Sequence, residues 1–269
     1  MERTLKTFKH ALLAIGLLVG NAYAEGEETQ APFKIGAIGD SITKATNSEG
    51  VGHKPKFSWS TGAGTSTRLF TSHLTRLQKI KRNGVIAINK SRGGARTRDI
   101  QMQATELARQ KVDYATILIG ANDLCDWKEY DQSKFEKYEL DVRKAVSTLI
   151  NSNPKIKIII APVPDMYNLW EINQKNPACT KRWDTFRICS SILSSSLSFE
   201  DRQQFKQRWE DMNKILERIS LDYPNHIKFS LEIARTKFDT SHVSSVDCFH
   251  PSVKGQELIA KKSWEYGWV

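Results

Sequence analysis

The chain is poor in several things at once. Only four of its 269 residues are cysteine, and no two stand in a C-x-x-C pair. Structural zinc sites use that spacing, so no metal is expected. Internal repeats and low-complexity segments are lacking. At 39% hydrophobic and 26% charged, the composition is that of an ordinary globular protein. Beyond the first two dozen residues no apolar run approaches the roughly 20 residues of a membrane-spanning helix. The basic residues are scattered, with one small cluster at Lys79, Lys81 and Arg82, and no nucleic-acid-binding motif is present.

The N-terminus carries a different pattern. Arg3, Lys6 and Lys9 precede the short apolar run from Ala11 to Gly20, and Ala22-Tyr23-Ala24 follows. This is the layout of a secretory signal peptide cleaved after Ala24, leaving residues 25–269 as one exported domain, periplasmic or secreted. Removing three basic residues and one acidic residue lowers the net charge from +10 to +8. A basic exported protein suits an anionic lipid or wall-polymer surface, and equally gains solubility. All four cysteines, Cys125, Cys179, Cys189 and Cys248, remain after cleavage. An even number in an exported chain implies disulfides. Cys179–Cys189 closes the shortest loop and is the expected pair, which leaves Cys125 to Cys248.

Hydrophobic patterning places five short apolar runs at Phe33–Ile38, Val85–Ile88, Tyr114–Ile119, Lys155–Val163 and Ile227–Leu231. Each is the length of a buried strand. Helical spacing lies between them. Leu69, Phe70, His73, Leu74, Leu77 and Ile80 mark one helix, with His73 a packing residue. Phe135, Tyr138, Val142, Ala145, Val146 and Leu149 mark another, behind a Ser133–Glu136 capping box. Phe205, Trp209, Met212, Leu216 and Ile219 mark a third, and the last helix starts near Pro251. Residues 165–202 break the alternation and are expected to form an insertion at the rim. Strands alternating with helices predict an α/β fold with a parallel sheet.

The polar motifs fall just after strands, and in a parallel sheet those positions gather along one edge. Gly39-Asp40-Ser41 follows the first strand, with Ser41 expected at a helix start. Asn89 to Gly94 follows the second, and Gly120-Ala121-Asn122-Asp123 the third. Near the C-terminus, Asp247-Cys248-Phe249-His250-Pro251 sets a carboxylate three residues before a histidine. A serine hydroxyl is a weak nucleophile until a base takes its proton, and that base needs a third group to fix its tautomer. Ser41, His250 and Asp247 fill these roles. Asp239 and His242 repeat the D-x-x-H spacing without the proline and read as a decoy. Oxyanion donors are available in the Ser41 N–H, the Gly94 N–H and the Asn122 amide, with Gly93 adjacent to Gly94.

These four blocks, in this order, resemble the SGNH (GDSL) hydrolases over nearly all of residues 25–269. The resemblance implies a three-layer α/β/α sandwich with five parallel strands. It also implies Ser41 as nucleophile, Asp247 and His250 as its partners, Gly94 and Asn122 as oxyanion donors, and no cofactor. Phe57-Ser58-Trp59-Ser60, the stretch from Ile119 to Asp126 and Asp247 to Ser252 look most like the phospholipase B-like branch. Thr61-Gly62-Ala63 departs from the Gly-Gly pair common there. The G-x-S-x-G elbow of the other large hydrolase fold is absent. The expectation is therefore an exported serine esterase acting on lipid or phospholipid acyl esters, with a lipid surface as a candidate meeting place. An esterase of small acyl groups on glycans or wall polymers shares the chemistry, and a non-catalytic binding module shares the fold.

Overall fold

The computed structural model describes residues 31–268, so the leader assigned to residues 1–24 lies outside them. Strand β1 (Phe33–Gly39) opens the domain, followed by α1 (His73–Ile80), β2 (Val85–Asn89), α2 (Thr97–Ala108) and β3 (Tyr114–Leu118). Next come α3 (Ala121–Asp126), α4 (Gln132–Ser152) and β4 (Lys157–Ile160). Helices α5 (Met166–Asn173), α6 (Pro177–Phe186), α7 (Ser190–Leu193) and α8 (Phe199–Asp222) fill the stretch before β5 (Ile227–Lys228). Helices α9 (Leu231–Ala234) and α10 (Val253–Glu265) end the chain.

The five strands form one parallel sheet in the order β2-β1-β3-β4-β5. Alternation along the strands divides the core. Ile35, Tyr114 and Ile159 face α1 and pack with Leu74, Leu77 and Trp264. Ile38, Ile117, Ile158 and Ile160 face the other way, into the larger core with residues of α2, α4 and α8. This is the expected α/β sandwich. From β1 the chain goes out to β2 on one side and then crosses to β3 on the other. The crevice at the carboxyl end of β1, where the order reverses, is where such sheets hold their ligands.

Several local readings change. Strand β2 is an edge strand and only partly buried, with Ile86 46% exposed. The fifth strand is only two residues long. Helix α1 begins at His73, because Ser72 and Thr75 form a reciprocal capping box there, and Leu69 is 95% exposed outside it. Helix α4 is capped by Asp131, whose carboxylate accepts the Ser133 N–H, so Ser133–Glu136 is no capping box. Its predicted buried face, Phe135 to Leu149, is buried throughout. His73 is the packing residue expected. It is fully buried, bonded to Tyr114 Oη at 2.7 Å and Ser263 Oγ at 2.8 Å. Burial pushes its pKa down to about 3, so it stays neutral.

Candidate active site

Strand β1 ends in Gly39 at φ +145°, where a Cβ would lie 2.2 Å from the Leu118 carbonyl oxygen. Only glycine lets the backbone turn there, against the neighbouring strand. Residues 40–47 then form a succession of tight turns, not the helix start expected. Thr46 N–H reaches back to the Ser41 carbonyl at 3.0 Å, and Asp40 Oδ1 takes the Ile42 N–H at 2.8 Å. The result is a nearly buried Ser41 at the sheet edge.

Across the edge, the turn before α10 supplies the partners. His250 Nε2 lies 2.8 Å from Ser41 Oγ, and His250 Nδ1 lies 2.6 Å from Asp247 Oδ2. Asp247 Oδ1 accepts the N–H groups of Phe249 and His250 at 2.9 and 3.0 Å, closing the D-x-x-H turn on itself. Burial alone would raise the Asp247 carboxyl. The bond from His250, its charge when protonated, and bonds from Asn47 and Phe249 outweigh that and hold it below the usual range.

Arg92 to Ala95 form a turn closed by Ala95 N–H to the Arg92 carbonyl at 3.1 Å, with Gly94 at φ +72° in its third position. That is the glycine position of a type II turn. A Cβ on Gly94 would meet nothing, whereas one on Gly93 would lie 2.8 Å from the His53 ring. Gly94 therefore has the open side. Asn122, in the first turn of α3, donates one amide hydrogen to the Ala95 carbonyl at 2.9 Å. This places its side chain beside the Gly94 turn and leaves the second hydrogen for another acceptor.

Two acids lie buried under this edge. Asp40 is 1% exposed, and its Oδ2 has no hydrogen-bond partner among the described residues. Burial raises its pKa to about 7, with the nearby Asp123 adding to the rise and His250 opposing it. Asp123 takes the Thr97 N–H, and burial raises it to about 6.

Beside His250 lies an apolar cleft lined by Ile42, Ala121, Met166, Leu169, Phe238 and Phe249, among others. One member of the Asp239–His242 pair is on its wall. His242 lines the cleft, but its Nδ1 is committed to Asp239, accepting the N–H at 3.2 Å and lying 3.0 Å from Oδ1. Asp239 and His242 thus cap a short helical turn, and no bond from them to Ser41 is found.

The model of the GDSL-like lipase/acylhydrolase family matches residues 35–263. The chain belongs to that family. No curated protein matches it. Solved structures share its fold. A lipase from a goat rumen metagenome is 16% identical, with a TM-score of 0.58, over 87% of this chain and 98% of that one. A family 3 carbohydrate esterase of Clostridium thermocellum is 14% identical, with a TM-score of 0.53, over 88% and 95%. An extracellular lipase of Streptomyces rimosus is 14% identical, with a TM-score of 0.52, over 88% and 100%.

In this GDSL-like chain the cysteines pair differently from the sequence expectation. The bonds are Cys125–Cys189 and Cys179–Cys248, not Cys179–Cys189 and Cys125–Cys248. The reason is α6. Cys179 is in its first turn and Cys189 lies past its end. Its rise carries the chain roughly 10 Å away from Cys179 by Phe186, and each cysteine then lies against a partner from another segment. Residues 165–202 hold helices α5 to α7 and the start of α8. This stretch is bonded at Cys189 to the α3 segment that carries Asn122, and at Cys179 to the turn that carries His250.

One participant was missed. Asn47 Nδ2 donates to Asp247 Oδ2 at 2.6 Å. The residues Thr46-Asn47-Ser48 carry no motif, and only the left-handed conformation at Asn47, φ 55°, marks the position. Asparagine tolerates that conformation, but a sequence does not announce it.

Proposed function

We propose that this GDSL-like chain is an exported serine esterase that cleaves carboxylic acyl esters. The unbroken hydrogen-bond chain Ser41–His250–Asp247 at the mouth of an apolar cleft carries this reading. His250 Nε2 takes the proton of Ser41 Oγ as the oxygen attacks the ester carbonyl. The carbonyl becomes an oxyanion facing the Ser41 and Gly94 N–H groups and the free Asn122 hydrogen. Collapse breaks the bond to the leaving alkoxide, which His250 protonates. Water, deprotonated by His250, then attacks the acyl-serine and releases the acid, returning the proton to Ser41. Asp247 holds the imidazole tautomer throughout.

The apolar cleft supports a hydrocarbon acyl group, and hence lipid or phospholipid esters of the phospholipase B-like kind, over small acyl groups on sugars. Two disulfides accord with an oxidising, exported setting. Among the described residues no helix is long and apolar enough to cross a membrane. A p-nitrophenyl ester series of increasing chain length tests the reading. Turnover that rises past acetate and vanishes in Ser41→Ala supports it. Activity confined to acetyl esters overturns the lipid part, and activity surviving in Ser41→Ala overturns the whole.

A further inference from the structure

Asn47 is built to stay where it is. Its N–H donates to the Gly52 carbonyl at 2.8 Å, and its Oδ1 accepts the Gly52 N–H at 2.8 Å. Its own carbonyl accepts the Ser244 hydroxyl at 2.6 Å. Ser244 in turn donates its N–H to the His250 carbonyl at 2.8 Å and accepts the Cys248 N–H at 2.9 Å. The Asn47 amide is thus fixed from both sides before it reaches Asp247. It spans 200 residues of sequence to do so, joining the loop after Ser41 to the turn that holds His250.

The effect falls on one oxygen. Asp247 accepts four bonds, two per oxygen. The Phe249 and His250 N–H groups take Oδ1, and His250 Nδ1 and Asn47 Nδ2 take Oδ2. A donor on the oxygen that holds the imidazolium draws charge away from that contact. It also stops the carboxylate from rotating to offer the histidine a different lone pair. We propose that Asn47 is a positioning residue for the Asp247 carboxylate, fixing its orientation and moderating its grip on the His250 imidazolium. This inference rests on reading Ser41, His250 and Asp247 as the triad.

Without the amide, Oδ2 holds the imidazolium more strongly, so the base stays protonated to higher pH. The acidic limb of kcat/KM then moves up. The other ionisable groups nearby are Asp40 below Ser41, His242 and Asp165 on the cleft wall, and Arg182 of α6, which bonds the Ser245 carbonyl at 2.8 Å. His53 bonds Thr46 in the same loop as Asn47. The substitutions below leave all of these in place.

The test compares wild type, Asn47→Asp and Asn47→Ala of the full chain on p-nitrophenyl butyrate, with kcat, KM, pH profile and melting temperature. Aspartate tolerates the left-handed conformation and still accepts the Gly52 N–H, so that variant keeps the loop and swaps only the donor for a carboxylate. The expected result is a fall in kcat of about 10- to 100-fold with KM within about twofold. The acidic limb should rise by about 0.5–1 pH unit in Asn47→Ala, and further in Asn47→Asp, where a second carboxylate faces the first. If either fails to fold, Ser244→Ala loosens Asn47 from behind and should shift the limb in the same direction. Wild-type kcat with an unmoved limb overturns the proposal, and so does a fall in kcat with the limb unmoved. Ser41→Ala is measured alongside. If that variant stays active, the triad reading has failed and the Asn47 proposal falls with it; if it is inactive and the limb is unmoved in the Asn47 variants, the Asn47 proposal alone fails.

Discussion

Cys179 is bonded to Cys248, two residues before His250. The residues joined are 69 apart in sequence, and Cys125–Cys189 spans 64. Chain-entropy arguments give each loop about 4 kcal/mol of stabilisation. Non-reducing peptide mapping should recover these two pairs and no Cys179–Cys189 peptide. Cys179→Ser and Cys248→Ser remove the same bridge. They should impair turnover equally, and the double variant should be no worse than either single one.

Ser41→Ala and His250→Ala should each lower turnover by roughly 10⁴-fold or more, since members of such a unit fail together. His242→Ala should keep most activity on short esters, because its imidazole is engaged with Asp239. A severe loss in the His242 variant with an active His250 variant would move the base.

Asn122→Ala should lower kcat by about 10²–10³-fold with KM little changed, as expected for a donor that meets the oxyanion and not the ground-state carbonyl. Steady-state kinetics on a soluble ester checks this. An effect confined to KM would assign Asn122 to substrate binding instead.

Asp40 and Asp123 should make the fold sensitive to pH. Their folded pKa values, about 7 and about 6, lie above the unfolded carboxylate value of about 3.9. Between about pH 4 and 7 the folded chain therefore holds more protons than the unfolded one, and their contribution to stability falls as pH rises. Asp40→Asn should melt close to wild type near pH 4 and higher than wild type near pH 8. Thermal melts across that range check it, and parallel curves would refute the assignment.

The fold was legible wherever patterning and burial agree. Ile35 to Ile38, Tyr114 to Leu118 and the helix face from Phe135 to Leu149 are written in apolar periodicity, and all are buried. Ser41, Asp247 and His250 were legible because each sits at a strand or helix junction with a turn residue beside it. The failures have one physical source, which is that contact depends on three-dimensional path and not on spacing. Cys179 and Cys189 are near in sequence, but α6 separates them. Leu69 fits the helical period, but the cap at Ser72 starts the helix beyond it. Asn47 acts on a residue 200 positions away, and nothing local records this.

The exposed Phe186-Arg187 corner lies between Cys179 and Cys189, so a single proteolytic cut there would leave both bridges crossing the gap. The nicked protein would run at full mass until reduced. It would be a two-chain protein, with Ser41 and Asn122 on one chain and Asp247 and His250 on the other. Neither chain would carry the whole Ser41–His250–Asp247 hydrogen-bond chain, and only the two bridges would bind the halves covalently.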